Sequence, residues 1–370
     1  MTDTTTLTAT MRAARIHGQG DLRIEEIPIP EPGPGDVLLR ITGAGICGTD
    51  ATLFRLGEAV VPAGTEAGWP IVLGHEFAGE VVEAGAGVTQ LAVGDLVACG
   101  AGVSCGTCVR CREGRTNLCL GYATAGVHRD GGLAGYCVVP AAICEPAAPH
   151  GVSGDAAALA QPMAVAEHAI SVAGLAAGER ALVLGAGGIG SFATWAASSR
   201  GAEVTVFERD PERLAIAAAL GAARTVAAET DADADVTAQL AEHGMFDVVY
   251  EMSGAQGPLD AAVALTRPGG RLVAVGVHGV RRPIDLDRIT LQEITLHGTL
   301  ALVRAVDLPR ALDLIGARDA PWSDVAPDVV GLDALAGEGG PAAAAFARPG
   351  GAPPIKTLID PWATAPRPFA

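Results

Sequence analysis

The amino-acid sequence predicts an α/β protein in two parts: a barrel-like domain of short β-strands, followed by a doubly wound parallel sheet covered by helices. Three observations support this prediction. The chain has 370 residues, enough for two domains of about 100 to 200 residues each. Its first part alternates short strands with turns. From about residue 165 the pattern changes to a strand followed by a helix, repeated several times.

In the first part, apolar residues form short runs separated by Gly, Pro and Asp, as in strands joined by turns. The predicted strands are DLRIEEIPIP (21–30), DVLLRITGAGICG (36–48), HEFAGEVVEAG (75–85), DLVACG (95–100) and AGYCVVP (134–140). Even spacing of short strands is typical of β-barrels. We therefore predict a barrel-like domain over residues 1–164.

In the second part, an apolar strand followed by an alanine-rich helix recurs. The segments are ERALVLGAGGIGSFATWAASSRGA (179–202), EVTVFERDPERLAIAAALGA (203–222), FDVVYEMSGAQGPLDAAVALTRPGG (246–270) and RLVAVGV (271–277). This alternation indicates a parallel sheet with covering helices. The tail, 304–370, is predicted to form a helix at 307–317 and a strand at 353–361, and to return to the first domain. The tracts GDAAALAQ (154–161) and GGPAAAAFA (339–347) are interpreted as helix.

Composition limits the partners of the chain. It carries 42 Asp and Glu against 25 Lys and Arg, a formal net charge of −17. Such a surface repels phosphate backbones and acidic lipids, so we expect neither a nucleic-acid nor a membrane partner. No apolar segment resembles a secretion signal or a membrane span, and we expect a cytoplasmic protein with reduced thiols. Lys356 is the only lysine, which we interpret as a consequence of genome composition.

Four of the eight cysteines lie in SCGTCVRCREGRTNLC, residues 104–119. Cys105, Cys108, Cys111 and Cys119 have the spacing C-x2-C-x2-C-x7-C. Tetrahedral zinc is held by thiolates at about 2.3 Å, and two-residue gaps let one loop place three of them around the ion. We predict a structural zinc; an iron–sulfur cluster and unrelated free thiols are the alternatives. Three other thiols fit no ligand spacing and are assigned to packing: Cys99, Cys137 and Cys144.

The second part carries the motif G-x-G-x-x-G between its first strand and its first helix. Gly185, Gly187 and Gly190 occupy the glycine positions, and Gly188 and Ile189 lie between them. The first glycine permits a tight turn, the second lets the backbone approach a pyrophosphate, and the third lets helix and strand pack closely. The phosphate charge would lie at the helix N-terminus. We predict a dinucleotide site, although glycine turns are common.

The next strand ends in Glu208, eighteen residues after Gly190. A carboxylate there can accept hydrogen bonds from both ribose hydroxyl groups and repels a 2′-phosphate, which favours NAD over NADP. Arg209 follows immediately and could hold a 2′-phosphate, so NADP stays possible. The alternative without a nucleotide is a solvated Glu208 beside an ordinary glycine turn.

The first part contains residues suited to a second metal site. Cys47 lies in GAGICGTD, and His75 and Glu76 lie in VLGHEFAGE. Cysteine, histidine and carboxylate side chains bind zinc, and a catalytic zinc keeps one coordination position open. Taken singly, Cys47 would more often be a small buried apolar residue and His75 a hydrogen-bonded core histidine.

These segments together resemble the zinc-containing medium-chain dehydrogenases, especially the polyol, threonine, butanediol and glucose dehydrogenases. The matching segments are GICGTD, GHEFAGEVVEAG, the four-cysteine stretch, GVHRDGGLAGY, QPMAVAEHA and VLGAGGIG. The resemblance covers residues 12–303, and more weakly PPIKTLIDP. It implies a GroES-like catalytic domain over 1–164, with a structural-zinc lobe, and a Rossmann domain over 165–303.

The resemblance also implies residue roles. Cys47 and His75 would ligate a catalytic zinc, and Glu76 would alternate with substrate or water. Thr49 would pass the alcohol proton away from the metal. Gln161 stands where most of the family has a glutamate; some glucose dehydrogenases also have glutamine there. An amide oxygen can ligate zinc or hold its water, but it adds no negative charge. The zinc is therefore expected to be a stronger Lewis acid than with glutamate.

Two further positions depart from the family. Thr52 replaces a relay histidine of many relatives, which leaves the proton route open. Glu167 replaces an often apolar residue and is a candidate substrate contact. The segment 51–70 is expected to line the substrate site, with Phe54 and Trp69 as apolar candidates.

These features imply two zinc ions per chain, one catalytic and one structural. They imply hydride transfer from a secondary or cyclic alcohol or a polyol to NAD, giving a ketone or aldehyde. Arg209 and Val277 complete the expected cofactor contacts, and the resemblance implies a homodimer or homotetramer. The alternatives are an NADPH-dependent carbonyl reductase and a non-catalytic nucleotide-binding protein. The trio Cys47, His75 and Glu76 argues against the second, since a binding protein needs no open metal site.

Overall fold

The computed structural model describes residues 9–57, 69–229, 235–277, 279–336 and 355–370. The chain divides into two compact units: unit 1 comprises Met1–Gln161 and Val303–Ala370, and unit 2 comprises Pro162–Leu302. The first boundary lies three residues before the predicted one, because a single helix, Ala160–Ala173, crosses it. The tract GGPAAAAFA and residues 58–68 of the expected substrate segment lie outside the described residues.

Short strands dominate the N-terminal part of unit 1. In chain order its elements are β1 (Thr10–Gly18), β2 (Asp21–Pro28), β3 (Asp36–Gly45), α1 (Gly48–Leu56), β4 (Ile71–Val72), β5 (Glu76–Ala84), β6 (Leu96–Cys99), β7 (Gly102–Val103), α2 (Val109–Arg112), β8 (Ala123–Thr124), β9 (Tyr136–Pro140), β10 (Cys144–Pro146) and α3 (Ala160–Ala173). Short 3-10 helices are Thr116–Leu118, Ala141–Ile143, Ala148–His150 and Gly154–Leu159. The tract GDAAALAQ is thus helical, mostly as a 3-10 helix.

Unit 2 alternates strands and helices. Its elements are β11 (Arg180–Leu184), α4 (Gly188–Ser199), β12 (Glu203–Glu208), α5 (Pro211–Ala219), β13 (Arg224–Ala227), α6 (Val236–Leu240), β14 (Phe246–Glu251), α7 (Gln256–Leu265), β15 (Thr266–Ala274), α8 (Leu286–Leu291) and β16 (Thr295–Gly298), with a 3-10 helix at Ala241–His243. The chain then returns to unit 1 with α9 (Arg304–Gly316), β17 (Asp328–Val330), β18 (Leu358–Ile359) and β19 (Arg367–Pro368), and with 3-10 helices at Trp322–Asp324 and Leu332–Leu335.

In unit 1, β3 is the central strand. The sheet has the order β10-β6-β5-β3-β18-β17-β19, and β9 also pairs with β3. Its pairings are antiparallel apart from β17 with β18. A second sheet has the order β2-β1-β4. Alternate side chains of these strands, including Ile16, Leu39, Ile41 and Phe77, form one buried apolar core. This architecture confirms the barrel-like domain that the strand spacing predicts.

In the described part of unit 2, all strands are parallel and have the order β13-β12-β11-β14-β15-β16. Numbered within the unit, this is 3-2-1-4-5-6, the doubly wound order whose topological switch point lies between β11 and β14. The central strands β12, β11 and β14 are buried on both faces, as expected for a parallel sheet covered by helices, whereas the edge strands β13 and β16 are largely exposed. The predicted α/β fold class is confirmed. Within the described residues, no helix has the length and apolar character needed to cross a membrane.

Candidate active site and nucleotide site

A candidate metal site lies where two strand ends of unit 1 meet. In the antiparallel pair of β3 and β5, Gly45 faces Glu76. Cys47 follows β3, and His75 immediately precedes β5, so this register brings both to the same place. The ligand atoms of Cys47, His75 and Glu76 lie within 4.8 Å of one another. A thiol, an imidazole and a carboxylate at this spacing fit a zinc ion with one open coordination position.

Asp50 supports this site from the first turn of α1. Its buried carboxylate accepts a hydrogen bond from the backbone N–H of Cys47 at 2.8 Å, and its other oxygen lies 3.5 Å from Nδ1 of His75. Burial lowers the pKa of His75, but the negative charges of Asp50 and Cys47 outweigh it and raise that pKa well above its ordinary value. A metal ion must displace this proton, since only neutral imidazole ligates. Asp50 contacts Nδ1, so Nε2 is the nitrogen that can bind the metal.

Lys356 contacts the carboxylate of Glu76. Its Nζ lies 2.6 Å from Oε1 and 2.5 Å from Oε2 of Glu76, and both side chains are buried. Strand β18 causes this contact, because it pairs with β3 at Gly45, on the side opposite β5. Gly45 needs to lack a side chain, since a Cβ atom there would lie 2.6 Å from Oε2 of Glu76.

The other predicted residues of this region occupy different places. Thr49 is exposed on α1, with Oγ1 3.9 Å from Sγ of Cys47. The hydroxyl of Thr52 donates a hydrogen bond to the carbonyl of its own helix at Gly48, at 2.8 Å. Gln161 is buried in the first turn of α3. Two apolar candidates for the substrate site are partly buried and pack against the barrel core: Phe54 and Trp69.

The cysteine lobe, residues 104–119, brings four sulfur atoms within 4.8 Å of one another. Sγ of Cys111 lies 3.5 Å from that of Cys108 and 4.0 Å from that of Cys105. Sulfur atoms bound to one tetrahedral zinc at about 2.3 Å are about 3.8 Å apart, so the lobe fits this metal. Backbone N–H groups point at the sulfurs: Cys108 donates to Cys105 at 3.3 Å, and Cys105 donates to Cys119 at 3.2 Å. Hydrogen bonds from Thr107 lower the pKa of Cys105 to about 6, which favours the thiolate that a metal needs.

The glycine motif of unit 2 lies between β11 and α4. Gly185 has φ of +101°, a conformation that residues with a side chain rarely adopt. At Gly190 a Cβ atom would lie 1.9 Å from the carbonyl oxygen of Gly185, so the close approach of strand and helix requires glycine. No described atom lies within 4 Å of a Cβ atom built at Gly187. Space therefore adjoins the N-terminus of α4, where backbone N–H groups can bind a pyrophosphate.

Glu208, at the end of β12, is buried and held by backbone N–H groups. Oε2 accepts a hydrogen bond from Ala186, within the glycine motif, at 2.8 Å. Oε1 accepts from Arg209 at 2.8 Å and from Asp210 at 3.1 Å. A carboxylate has about four lone-pair sites, so capacity remains for a ribose hydroxyl group. The side chains of Arg209 and Val277 are exposed at the same carboxyl edge of the sheet.

Two family models and several known proteins match this chain. Residues 33–149 match the alcohol dehydrogenase GroES-like domain family, and residues 188–317 match the zinc-binding dehydrogenase family. The chain is 36% identical to L-threonine 3-dehydrogenase of Saccharopolyspora erythraea over 281 residues, 75% of this chain and 80% of that one. It is 36% identical to sorbitol dehydrogenase of Gallus gallus over 293 residues, 77% of this chain and 81% of that one. The crystal structure of 2R,3R-butanediol dehydrogenase from Bacillus subtilis superposes with a TM-score of 0.83 at 30% identity, over 95% of this chain and 99% of that one.

The chain belongs to the zinc-binding alcohol dehydrogenase family. Within this family it is an NAD(P)-dependent oxidoreductase that acts on a small-molecule substrate. The resemblance predicted from sequence motifs is confirmed.

Sequence reasoning missed two side chains of this alcohol dehydrogenase's candidate metal site, Asp50 and Lys356. Asp50 has a local signal, because it stands three residues after Cys47 and forms a capping box with it. Lys356 has only one signal, that it is the chain's single lysine.

The structure gives Glu167 a contact within unit 2. This buried carboxylate forms an ion pair with Arg200, and Oε1 accepts a hydrogen bond from Ser171 at 3.0 Å. The pair joins α3 to the end of α4. Glu167 therefore links two helices of the cofactor-binding unit.

The three thiols assigned to packing are buried: Cys99, Cys137 and Cys144. Burial raises the pKa of Cys137 well above its ordinary value, so its thiol stays protonated and inert.

Proposed function

We propose that this chain binds two zinc ions and oxidises a secondary or cyclic alcohol or a polyol with NAD, giving a ketone or aldehyde. One observation carries the proposal: Cys47, His75 and Glu76 place a thiol, an imidazole and a carboxylate within 4.8 Å of one another. The four sulfur atoms of the cysteine lobe hold the second, structural ion. The proposed oxidation transfers a hydride from the alcohol carbon to the nicotinamide and releases one proton.

A zinc ion bound by the first three residues would act as a Lewis acid that lowers the pKa of an alcohol hydroxyl group. The chain's own residues handle the proton and the ligand charge. Thr49, close to Cys47, accepts the proton and passes it on. Asp50 orients His75, and Lys356 balances the charge of Glu76. The amide oxygen of Gln161 would offer a further ligand to the ion, or hold a water molecule beside it, without adding negative charge.

We assign cofactor binding to Gly185, Gly187, Gly188, Ile189 and Gly190 at the N-terminus of α4. Glu208, Arg209 and Val277 complete this set. Three backbone hydrogen bonds hold the carboxylate of Glu208 beside the glycine motif, which supports NAD over NADP because that charge repels a 2′-phosphate.

The proposal also covers the location, the partners and the oligomeric state of the protein. Zinc-binding thiols have to stay reduced, which supports a cytoplasmic location. The net charge of −17 argues against nucleic acid and acidic membranes as partners. We infer a homodimer or homotetramer from the family.

The experiment measures metal content and turnover together. Protein purified without added zinc should contain about two equivalents of zinc. A panel of alcohols and polyols is tested with NAD and with NADP by following absorbance of the reduced cofactor. One equivalent of zinc, or iron in its place, contradicts the metal assignment. Activity mainly with NADPH and carbonyl compounds would favour the reductase alternative.

Cys47→Ser separates chemistry from cofactor binding. We expect it to abolish turnover and to leave NADH binding nearly unchanged, because the glycine motif belongs to unit 2 and loses no contact. Substantial remaining activity would show that the catalytic metal lies elsewhere.

A further inference from the structure

Glu251 is a buried carboxylate to which the chemistry proposed above gives no role. It ends β14, next to the switch point between β11 and β14, and it is fully buried. In doubly wound sheets this crevice, at the carboxyl ends of the strands, is where ligands bind. A buried ionisable group at such a position calls for a functional explanation.

The carboxylate of Glu251 organises the loop that follows it. Oε1 accepts hydrogen bonds from the backbone N–H of Ser253 at 2.8 Å, from the hydroxyl of Ser253 at 2.5 Å, and from the backbone N–H of Gly254 at 2.9 Å. Its backbone carbonyl accepts from Val275 and Gly276, both at 2.9 Å. One residue thus ties the loop after β14 to the chain that leaves β15.

The surrounding backbone is too close for side chains. A Cβ atom at Gly276 would lie 2.4 Å from the nitrogen of Gly254 and 2.8 Å from Oε2 of Glu251. Gly254 has φ of +69°, and a Cβ atom there would lie 2.8 Å from the carbonyl oxygen of Val277. On the other side, a Cβ atom at Gly185 would lie 3.4 Å from Cβ of Ser253. The loop is therefore packed between the first glycine of the nucleotide motif and the segment after β15.

The order of the strands tells which half of a dinucleotide this loop would meet. Each half of a doubly wound sheet binds one mononucleotide. Glu208 ends β12, in the half formed by β11, β12 and β13, and marks the adenosine side. Glu251 ends β14, the first strand of the other half, which consists of β14, β15 and β16. The loop at Ser253 and Gly254 accordingly belongs to the nicotinamide side.

We propose that Glu251 is a positioning residue for the nicotinamide half of the dinucleotide, acting by holding the Ser253–Gly254 loop against Gly185 and Val277. The proposal rests on the dinucleotide binding proposed above. It separates the contributions of two buried carboxylates: Glu208 serves the adenosine half, and Glu251 serves the nicotinamide half.

The test measures the affinities of the whole protein for NADH and for 5′-AMP, which carries only the adenosine half. Glu251→Leu introduces an apolar side chain of similar volume and leaves the loop N–H groups without their acceptor. We expect it to weaken NADH binding about tenfold or more, and 5′-AMP binding less than about threefold. Glu251→Gln keeps one acceptor oxygen and should restore most of the NADH affinity.

Glu167→Gln is the matched control, since it changes another buried glutamate of unit 2 that contacts Arg200 and Ser171 instead of the nucleotide loop. It should lower the melting temperature and leave the ratio of the two affinities unchanged. If Glu251→Leu does not fold, Gly254→Ala strains the same loop through its positive φ and should show the same selective loss.

The outcomes are distinguishable. If the unmodified protein binds neither NADH nor 5′-AMP, the proposed dinucleotide function fails. If it binds both, and the loop variants change both affinities equally or change neither, the role of Glu251 is overturned.

Discussion

At the scale of single residues, the buried pair of Lys356 and Glu76 is the least expected feature. Removing two charges from water costs several kcal/mol per ion, and close contact offsets this only when the geometry is good. Burial lowers the pKa of Lys356, but the charges of Glu76 and Cys47 outweigh it and raise that pKa, so the ammonium group stays charged. The pair gives Glu76 a counter-ion that competes with a metal for the same oxygens.

Lys356→Met should therefore have different effects with and without zinc. In metal-free protein it leaves Glu76 buried without a cation, and we expect a loss of about 3 kcal/mol in the free energy of unfolding. In zinc-loaded protein the ion replaces the ammonium group as counter-ion, so the loss should be smaller, while turnover falls because Glu76 stays on the metal. Lys356→Arg, which keeps the charge, is the control. Melting curves with and without chelator measure both effects, and equal losses in the two states would contradict this account.

Glu208 is the residue that should decide cofactor choice. Glu208→Ala removes any ribose contact and also releases Ala186 in the glycine motif. We expect NAD binding to weaken by about 1.5 to 3 kcal/mol for each hydrogen bond lost to the carboxylate. The preference should shift toward NADP because the repelling charge is gone. Glu208→Gln, which keeps an acceptor oxygen for Ala186, should lose less NAD affinity. Steady-state kinetics with both cofactors test this, and an unmodified protein that already prefers NADP rules it out.

At the scale of elements, the cysteine lobe differs from the rest of unit 1. Its helix α2 has four residues, none of them buried. Val109 in this helix is 55% exposed, and Leu120, immediately after the lobe, is 78% exposed. A segment that buries so little apolar surface cannot offset the entropy of ordering its backbone. Four thiolates around one zinc supply the missing stabilisation.

Cys108→Ser should act through stability. Three thiolates form a poor tetrahedral site, so we expect about one zinc equivalent to remain and the melting temperature to fall. NADH binding should persist, because the dinucleotide residues belong to unit 2. Cys137→Ala is the control: it removes a buried thiol outside the lobe and should keep about two zinc equivalents. A Cys108→Ser protein that retains its metal and its melting temperature would require another explanation of the lobe.

At the scale of the whole molecule, unit 1 is discontinuous in sequence, and its C-terminal segment completes the sheet. Arg367 makes two hydrogen bonds to the buried carboxylate of Asp155, at 2.6 and 2.8 Å. The backbone of Ala370 both donates to Asp155 and accepts from it, at 2.9 and 3.2 Å. These contacts attach the last strand to the 3-10 helix that leads into α3 and Gln161.

Arg367→Met should destabilise unit 1 because it leaves Asp155 buried without its cation. We expect a loss of about 2 kcal/mol in the free energy of unfolding, less than for a fully buried pair because Arg367 is partly exposed. Arg23→Met removes a similar two-bond pair, with Asp21, on an exposed hairpin and should leave the melting temperature unchanged. Denaturant unfolding of the two variants compares them, and equal effects would show that burial of Asp155 does not matter.

The sequence by itself determined the features that are written in contiguous residues. The period and length of the apolar runs predict the barrel-like domain and the parallel sheet, because local strand and helix patterns depend on neighbouring residues. The glycine motif and the four clustered cysteines were readable for the same reason. Only the tertiary structure decided the contacts between distant segments. Glu76 and Lys356 are 280 positions apart, and they meet because β5 and β18 pair with opposite sides of β3. Strand register is a long-range choice fixed by the packing of whole faces, so no local pattern could reveal that the only lysine balances a candidate metal ligand.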